Sequence, residues 1–153
     1  VMEAAEESFI SSTFWTERIG YVAGNTTIEL MENLKAWKNL IKMGKIYKDG
    51  CLKLAKKYDI NLDVTGIDTI NYLNFEKNKN QIYKTFITQE MLKSKILSSN
   101  LIYLNICHKK NHIDSFLKKL DEIFKKIKKI EIKGNLKSHL KGPVSHNTFK
   151  RLN

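Results

Sequence analysis

Between Ile113 and Ile130, apolar residues return at intervals of three and four: Ile113, Phe116, Leu117, Leu120, Ile123, Phe124, Ile127 and Ile130. Successive residues of an α-helix turn by about 100°, so this spacing collects all of them on one side. A helix with such a stripe is stable only when the stripe is covered. The chain must therefore supply a surface that buries it. With 42% of its 153 residues hydrophobic, the chain has material for that surface and does not read as disordered. Asn111 or His112 opens this helix.

The covering elements are legible upstream. Trp37, Leu40, Ile41, Gly44, Tyr47, Cys51, Leu54, Ala55 and Tyr58 repeat at three and four, which predicts a helix from Ala36 to Tyr58. Asp49-Gly50 is a weak spot inside it, where a turn would be allowed. The period then changes. Ile60, Leu62 and Val64 alternate with Asn61 and Asp63, the pattern of a half-buried strand. Thr65-Gly66-Ile67-Asp68 reads as a turn, and Ile70 to Phe75 as a second strand. Gln81 to Lys95 returns to helix, and Ser98-Ser99-Asn100 breaks it. Leu101 to Cys107 reads as the strongest strand of the chain. Gly142-Pro143 ends the regular structure.

Before these elements, Thr16 is a suitable N-cap and Glu17 an anion in a first turn. Ile19, Val22, Ala23, Thr26, Leu30 and Leu34 continue as one helical face. Gly20 and Gly24, four apart on or near that face, predict close approach by another backbone, since helical glycine otherwise costs about 1 kcal/mol against alanine. The order of elements predicts an α/β chain, a small sheet with helices packed on it.

The formal net charge is +11, carried by lysine, with arginine only at Arg18 and Arg151. A charge of this size raises the possibility of nucleic acid or an anionic membrane as a partner. Scattered lysines on solvated faces account for it as well, and base readers lean on arginine. Lys118, Lys119, Lys125, Lys126, Lys128 and Lys129 lie off the apolar stripe, which is the position of a solvated face. No nucleic acid is expected. No apolar run reaches the roughly 18 residues of a membrane span, so no membrane partner is expected. The acidic opening Val1-Met2-Glu3-Ala4-Ala5-Glu6-Glu7 is unlike a signal peptide. Cys51 and Cys107 show no CxxC spacing and read as thiols of a reducing compartment. A cytoplasmic protein is the expectation.

Few patterns carry chemistry. His108 and His112 have i, i+4 spacing, but one sits at a strand end and the other near a helix start, with no glutamate of an H-E-x-x-H pattern between them. No metal site is expected. Cys107 and His108 are neighbours on a strand and point to opposite faces. There is no G-x-S-x-G, P-loop or G-x-G-x-x-G, so no catalytic residue is assigned. Ser11-Ser12-Thr13 is different. Consecutive hydroxyls and free backbone N–H groups in a loop before a helix can hold a phosphate, although such triplets also serve as caps and turns.

At this segment a resemblance appears. Ile10-Ser11-Ser12-Thr13-Phe14-Trp15-Thr16-Glu17-Arg18-Ile19-Gly20 resembles a signature of class III pyridoxal-phosphate (PLP)-dependent aminotransferases, in the branch similar to glutamate-1-semialdehyde aminomutase. The likeness continues through Val1-Met2-Glu3-Ala4-Ala5 and Tyr83-Lys84-Thr85-Phe86-Ile87-Thr88-Gln89-Glu90-Met91-Leu92. It reaches Gly142-Pro143-Val144-Ser145-His146 and Phe149-Lys150-Arg151-Leu152-Asn153. The chain departs from the pattern at Thr16-Glu17-Arg18, where many relatives carry Gly-Asn-Pro, and at Tyr21, where close relatives often carry Pro. These departures bear on the substrate rather than on the cofactor.

The resemblance implies the C-terminal part of a fold-type I homodimer. Residues 1–35 would be the end of the large cofactor domain with a connecting helix, and residues 36–153 the small C-terminal α/β domain. It implies pyridoxal 5'-phosphate as cofactor, with Thr13 reaching the cofactor phosphate of the partner subunit and Ser12 adding a backbone contact. It implies a small amino or carbonyl substrate, handled by transamination or by aminomutase (isomerase) chemistry. In this family the Schiff-base lysine lies upstream of the motif, and no lysine here stands in its context. The 153 residues alone are therefore expected to be inactive. The alternative is a stand-alone, non-catalytic small domain that binds an anionic partner through its lysine-rich face.

Overall fold

The structure is a computed structural model that describes Glu3 and residues 17–146. The chain divides into two compact units, Val1–Ala36 and Trp37–Asn153.

In the first unit, helix α1 runs Arg18–Leu34. Its N-cap is Glu17 in an extended conformation, one residue later than the Thr16 cap expected from the sequence, and no side chain caps it. Lys35 ends the helix in the left-handed region at φ 45°, and its N–H bonds back to the Glu32 carbonyl at 3.1 Å. Gly20 and Gly24 meet no close backbone: among the described residues nothing lies within 4 Å of a Cβ built on either.

The second unit begins in helix α2, Ala36–Lys57. Met43, Tyr47, Cys51 and Ala55, spaced by four, are its buried line. Asp49-Gly50 does not interrupt it, because Gly50 lies against Leu117 and the helix needs the small residue there. The helix stops in a Schellman turn. Asp59 takes φ 49°, its N–H reaches the Lys56 carbonyl, and the Ile60 N–H reaches the Ala55 carbonyl at 2.9 Å. Ile60 and Ala55 are both buried, the apolar contact that accompanies such a stop.

Strands β1 (Leu62–Ile67) and β2 (Ile70–Phe75) form a hairpin in which Ile67 pairs with Ile70. The turn is two residues, Asp68-Thr69. The sequence placed the turn too early, at Thr65 to Asp68, because Gly66 reads as a turn residue. Gly66 does need its glycine, with φ 97°, but it sits inside the strand and pairs with Asn71. Val64, Leu73 and Phe75 point to the core, and buried Asn71 donates its amide to the Asp68 carbonyl at 2.8 Å.

Helix α3, Asn80–Lys93, follows, and its C-terminus repeats the Schellman stop with Lys95 at φ 59° and the Ile96 N–H on the Met91 carbonyl. Strand β3 is Leu101–Tyr103, antiparallel to β2, and the sheet order is β1-β2-β3. This strand is shorter than the Leu101–Cys107 run predicted from apolar content. Asn105 ends it: its Oδ1 accepts the Cys107 N–H at 2.9 Å and its carbonyl accepts the His108 N–H at 3.0 Å.

Helix α4, Lys110–Lys133, carries the stripe with which the sequence began. Ile113, Phe116, Leu120, Ile123, Phe124, Ile127 and Ile130 are all buried, and Leu117 is half-buried. The ring of Phe116 lies 5.2 Å from that of Tyr47 in α2, and the ring of Phe124 lies 6.3 Å from that of Phe75 in β2. The stripe thus fills the space between α2, the sheet and α3. A short 3-10 helix, Leu136–His139, closes the regular structure. The unit is the α/β arrangement expected, a three-stranded antiparallel sheet with helices packed on it.

Candidate functional site

Ser12 and Thr13, the residues assigned to a cofactor phosphate, lie outside the described residues. Beside β3 the second unit has a cleft of about 750 Å³. Its apolar lining includes Leu101, Ile102 and Tyr103 of β3, with buried Tyr47 of α2 and Ile113 and Phe116 of α4 behind them. One wall is the turn after α3, with Lys95, Ile96, Leu97, Ser98 and Ser99. The other carries Lys84 and Thr88 of α3, and Ser145.

Local hydrogen bonds hold this shape. Thr85 gives its hydroxyl to the Gln81 carbonyl at 2.7 Å and accepts the Ser145 N–H at 3.0 Å. Ser145 in turn bonds the Gln81 side chain at 2.9 Å. Further along, the Lys141 N–H bonds Gln89 Oε1 at 2.7 Å. The segment after the 3-10 helix is thereby pinned along α3.

His108 and His112 line the cleft where β3 turns into α4. Nδ1 of His108 accepts the Asn105 N–H at 3.0 Å, and Nδ1 of His112 accepts the Lys109 N–H at 3.3 Å. An imidazole nitrogen that accepts carries no proton, so in the neutral ring the proton sits on Nε2. Each ring therefore offers a donor. With Lys84 and Lys95 they form a rim of donors, and among the described residues no aspartate or glutamate lines the cleft. Among the described residues no cluster of three His, Cys, Asp or Glu side chains could hold a metal ion.

The strongest ion-pair cluster lies elsewhere. Glu90 of α3 is buried and holds Lys93 of its own helix and Lys126 of α4, the latter at 2.7 Å. Burial pushes its carboxyl up, but hydrogen bonds from Lys126, Lys93 and Gln89 outweigh burial and bring it down to about 2. Such a group is an anchor of α4 on α3, not a proton donor. A second anchor is Tyr83, which donates its hydroxyl to Glu131 at 2.7 Å, with Lys79 on the same carboxylate at 3.0 Å. The lysine-rich face of α4 is partly neutralised: Lys119 pairs with Glu122, Lys126 with Glu90 and Lys128 with Asp59.

A Schiff-base lysine has to be held out of water with its amine available. None of the described lysines is buried. No described helix is long and apolar enough to cross a membrane.

No family model matches the chain. Over 85 residues it is 27% identical to the 3-aminobutyryl-CoA aminotransferase of Cloacimonas acidaminovorans (strain Evry). That stretch is 56% of this chain and 20% of the relative. In fold it is similar to the FumI protein of Sphingopyxis sp. MTA144, solved as its PLP internal aldimine form, with a TM-score of 0.75 at 16% identity. The likeness covers 90% of this chain and 34% of that one. The chain therefore shares its fold with about a third of a PLP enzyme, and spans well under half the length of either protein.

Sequence reasoning missed the cleft. Its parts come from four elements, the turns after α3 and β3, and Ser145; the sequence singled out Ser98-Ser99 only as a helix break and His108 and His112 only as a pair unsuited to a metal.

Proposed function

We propose that this chain works as the C-terminal part of a PLP-dependent aminotransferase of class III type, in the branch similar to glutamate-1-semialdehyde aminomutase. The observation that carries the reading is the fold match to a PLP enzyme over 90% of the chain. The sequence likeness to an aminotransferase points the same way. PLP, when bound to such an enzyme, supplies an electron sink for the carbanion formed at the substrate carbon. In this reading Thr13 and Ser12 hold the cofactor phosphate across a homodimer, and the substrate is a small amine or carbonyl compound. Residues 1–35 join a large cofactor domain, and residues 36–153 are the small domain. The lysine that binds PLP comes from elsewhere in a longer polypeptide.

Incubation of the purified 153-residue chain with PLP and a panel of amino donors and keto acids tests this reading. The expected result is no transfer of an amino group. Steady turnover by the chain alone would show that it contains its own catalytic lysine and would overturn the assignment.

A further inference from the structure

We propose that the cleft beside β3 is a binding site for an amphipathic anion, a molecule with an apolar body and one negatively charged head. Three observations meet there. The volume of about 750 Å³ falls in the range of small-molecule sites. Half-buried Ile96, Leu101 and Ile102 and exposed Leu97 and Tyr103 offer apolar surface there, backed by the buried core residues Tyr47, Ile113 and Phe116. The charged side chains of the rim, Lys84 and Lys95, are both cationic, and His108 and His112 present Nε2 donors because their Nδ1 atoms are committed to backbone N–H groups.

The sign of the rim selects the ligand. A cation would meet two ammonium groups and, among the described residues, no carboxylate. A neutral apolar molecule would satisfy the apolar lining but leave the donors to water. An anion with an apolar tail uses both. Its head sits among Lys84, Lys95 and the imidazoles, and its tail lies along Ile96, Ile102, Tyr103 and Leu97, which is 89% exposed. The site is distinct from the Glu90 cluster and does not depend on the cofactor chemistry proposed above.

Decanoate is the probe, with acetate and decanol as controls for its two halves. Titration of the 153-residue chain by calorimetry, with amide chemical shifts followed by NMR, reads the binding. Decanoate is expected to bind saturably at one site, with shifts at residues 95–103 and 108–116. Acetate and decanol are expected to bind about tenfold more weakly or not at all, each lacking one contribution. Leu97→Asp places a carboxylate in the exposed wall without touching the core, and Lys84→Glu reverses a rim charge. Each should weaken decanoate by about tenfold or more. A flat titration, decanol binding as tight as decanoate, or an undiminished Leu97→Asp variant would overturn the proposal. So would shifts in these segments that grow with protein concentration and accompany a dimer in sedimentation, since the occupant would then be a second copy of the chain.

Discussion

Gly44 of α2 lies so close to the backbone of Asp68 in the β1–β2 turn that a Cβ built on it would stand 1.5 Å from the Asp68 carbonyl oxygen. That carbonyl also accepts the Asn71 amide at 2.8 Å, so it is not free to move away. Helix and hairpin are thus in direct backbone contact. Ordinarily Gly→Ala inside a helix stabilises by up to about 1 kcal/mol. Here the sign reverses. Gly44→Ala is expected to destabilise by about 3 kcal/mol or more, because backbone has to shift. Gly50→Ala, which meets only the Leu117 side chain, is expected to destabilise less. Urea unfolding of the two variants checks the ranking. Equal stability of Gly44→Ala and the parent chain would mean that the hairpin does not sit on α2 in this way.

Glu90 ties α3 to α4, and its carboxyl is held at about 2 against an ordinary value of 4.5. A depressed carboxylate contributes stability that is fully present above its unfolded value and is lost as pH falls through its folded value. The window is therefore pH 4.5 down to about 2. Allowing for the exposed ends of its lysine partners, the contribution is on the order of 2 kcal/mol. Glu90→Gln should flatten the stability profile across that window and be less stable at neutral pH. An unchanged slope between the two proteins would contradict the assignment.

Tyr83 and Glu131 make the second tie between the same helices. Burial, and then the hydrogen bond to Glu131, hold the phenol well above its usual range. Tyr83→Phe is expected to cost about 1 kcal/mol, since Glu131 keeps Lys79 as a partner. In a spectrophotometric titration of the native chain, Tyr83 should ionise only near unfolding. The difference between the parent and Tyr83→Phe titrations reads this, and a difference well below the unfolding pH would contradict it.

Cys51 and Cys107 differ in reach. Cys51 is buried beside Tyr47, and burial pushes its thiol up to about 12 despite a hydrogen bond from Tyr47 that lowers it. Cys107 is exposed in the turn after β3. A thiol reagent at neutral pH should label Cys107 alone in the native chain, and both cysteines once the chain is unfolded. Native labelling of Cys51 would show that α2 is not packed as described.

The helices were legible because their apolar spacing is enforced by the core. The α4 stripe, Tyr47, Cys51 and Ala55 of α2 and the β2 strand stand where the sequence puts them, whereas Met43, absent from the sequence pattern, is buried in α2 and Trp37 and Ile41 are exposed. The errors fall where local chemistry overrides pattern. Gly66 reads as a turn residue but serves inside a strand, because an unusual φ is needed there rather than a reversal. The apolar run after Tyr103 reads as strand but is broken by one side chain, Asn105, which bonds its own backbone. Cys107 is exposed for the same reason. The cleft was illegible because it is assembled by tertiary contact. Lys84, Lys95, His108 and His112 are unremarkable in a lysine-rich sequence until the fold gathers them on one rim. The phosphate contact expected at Ser12 and Thr13, from their hydroxyl-rich segment and from the resemblance, lies outside the described residues.

The proposed role within a PLP aminotransferase is tested by isolating the native gene product from its source cells and recording its intact mass and its visible absorption. The expected result is a mass well above 17.8 kDa, an aldimine band, and loss of that band on treatment with a carbonyl reagent. A product of 17.8 kDa with no aldimine band would contradict it, and the search would pass to what the β3 cleft binds in a free-standing domain.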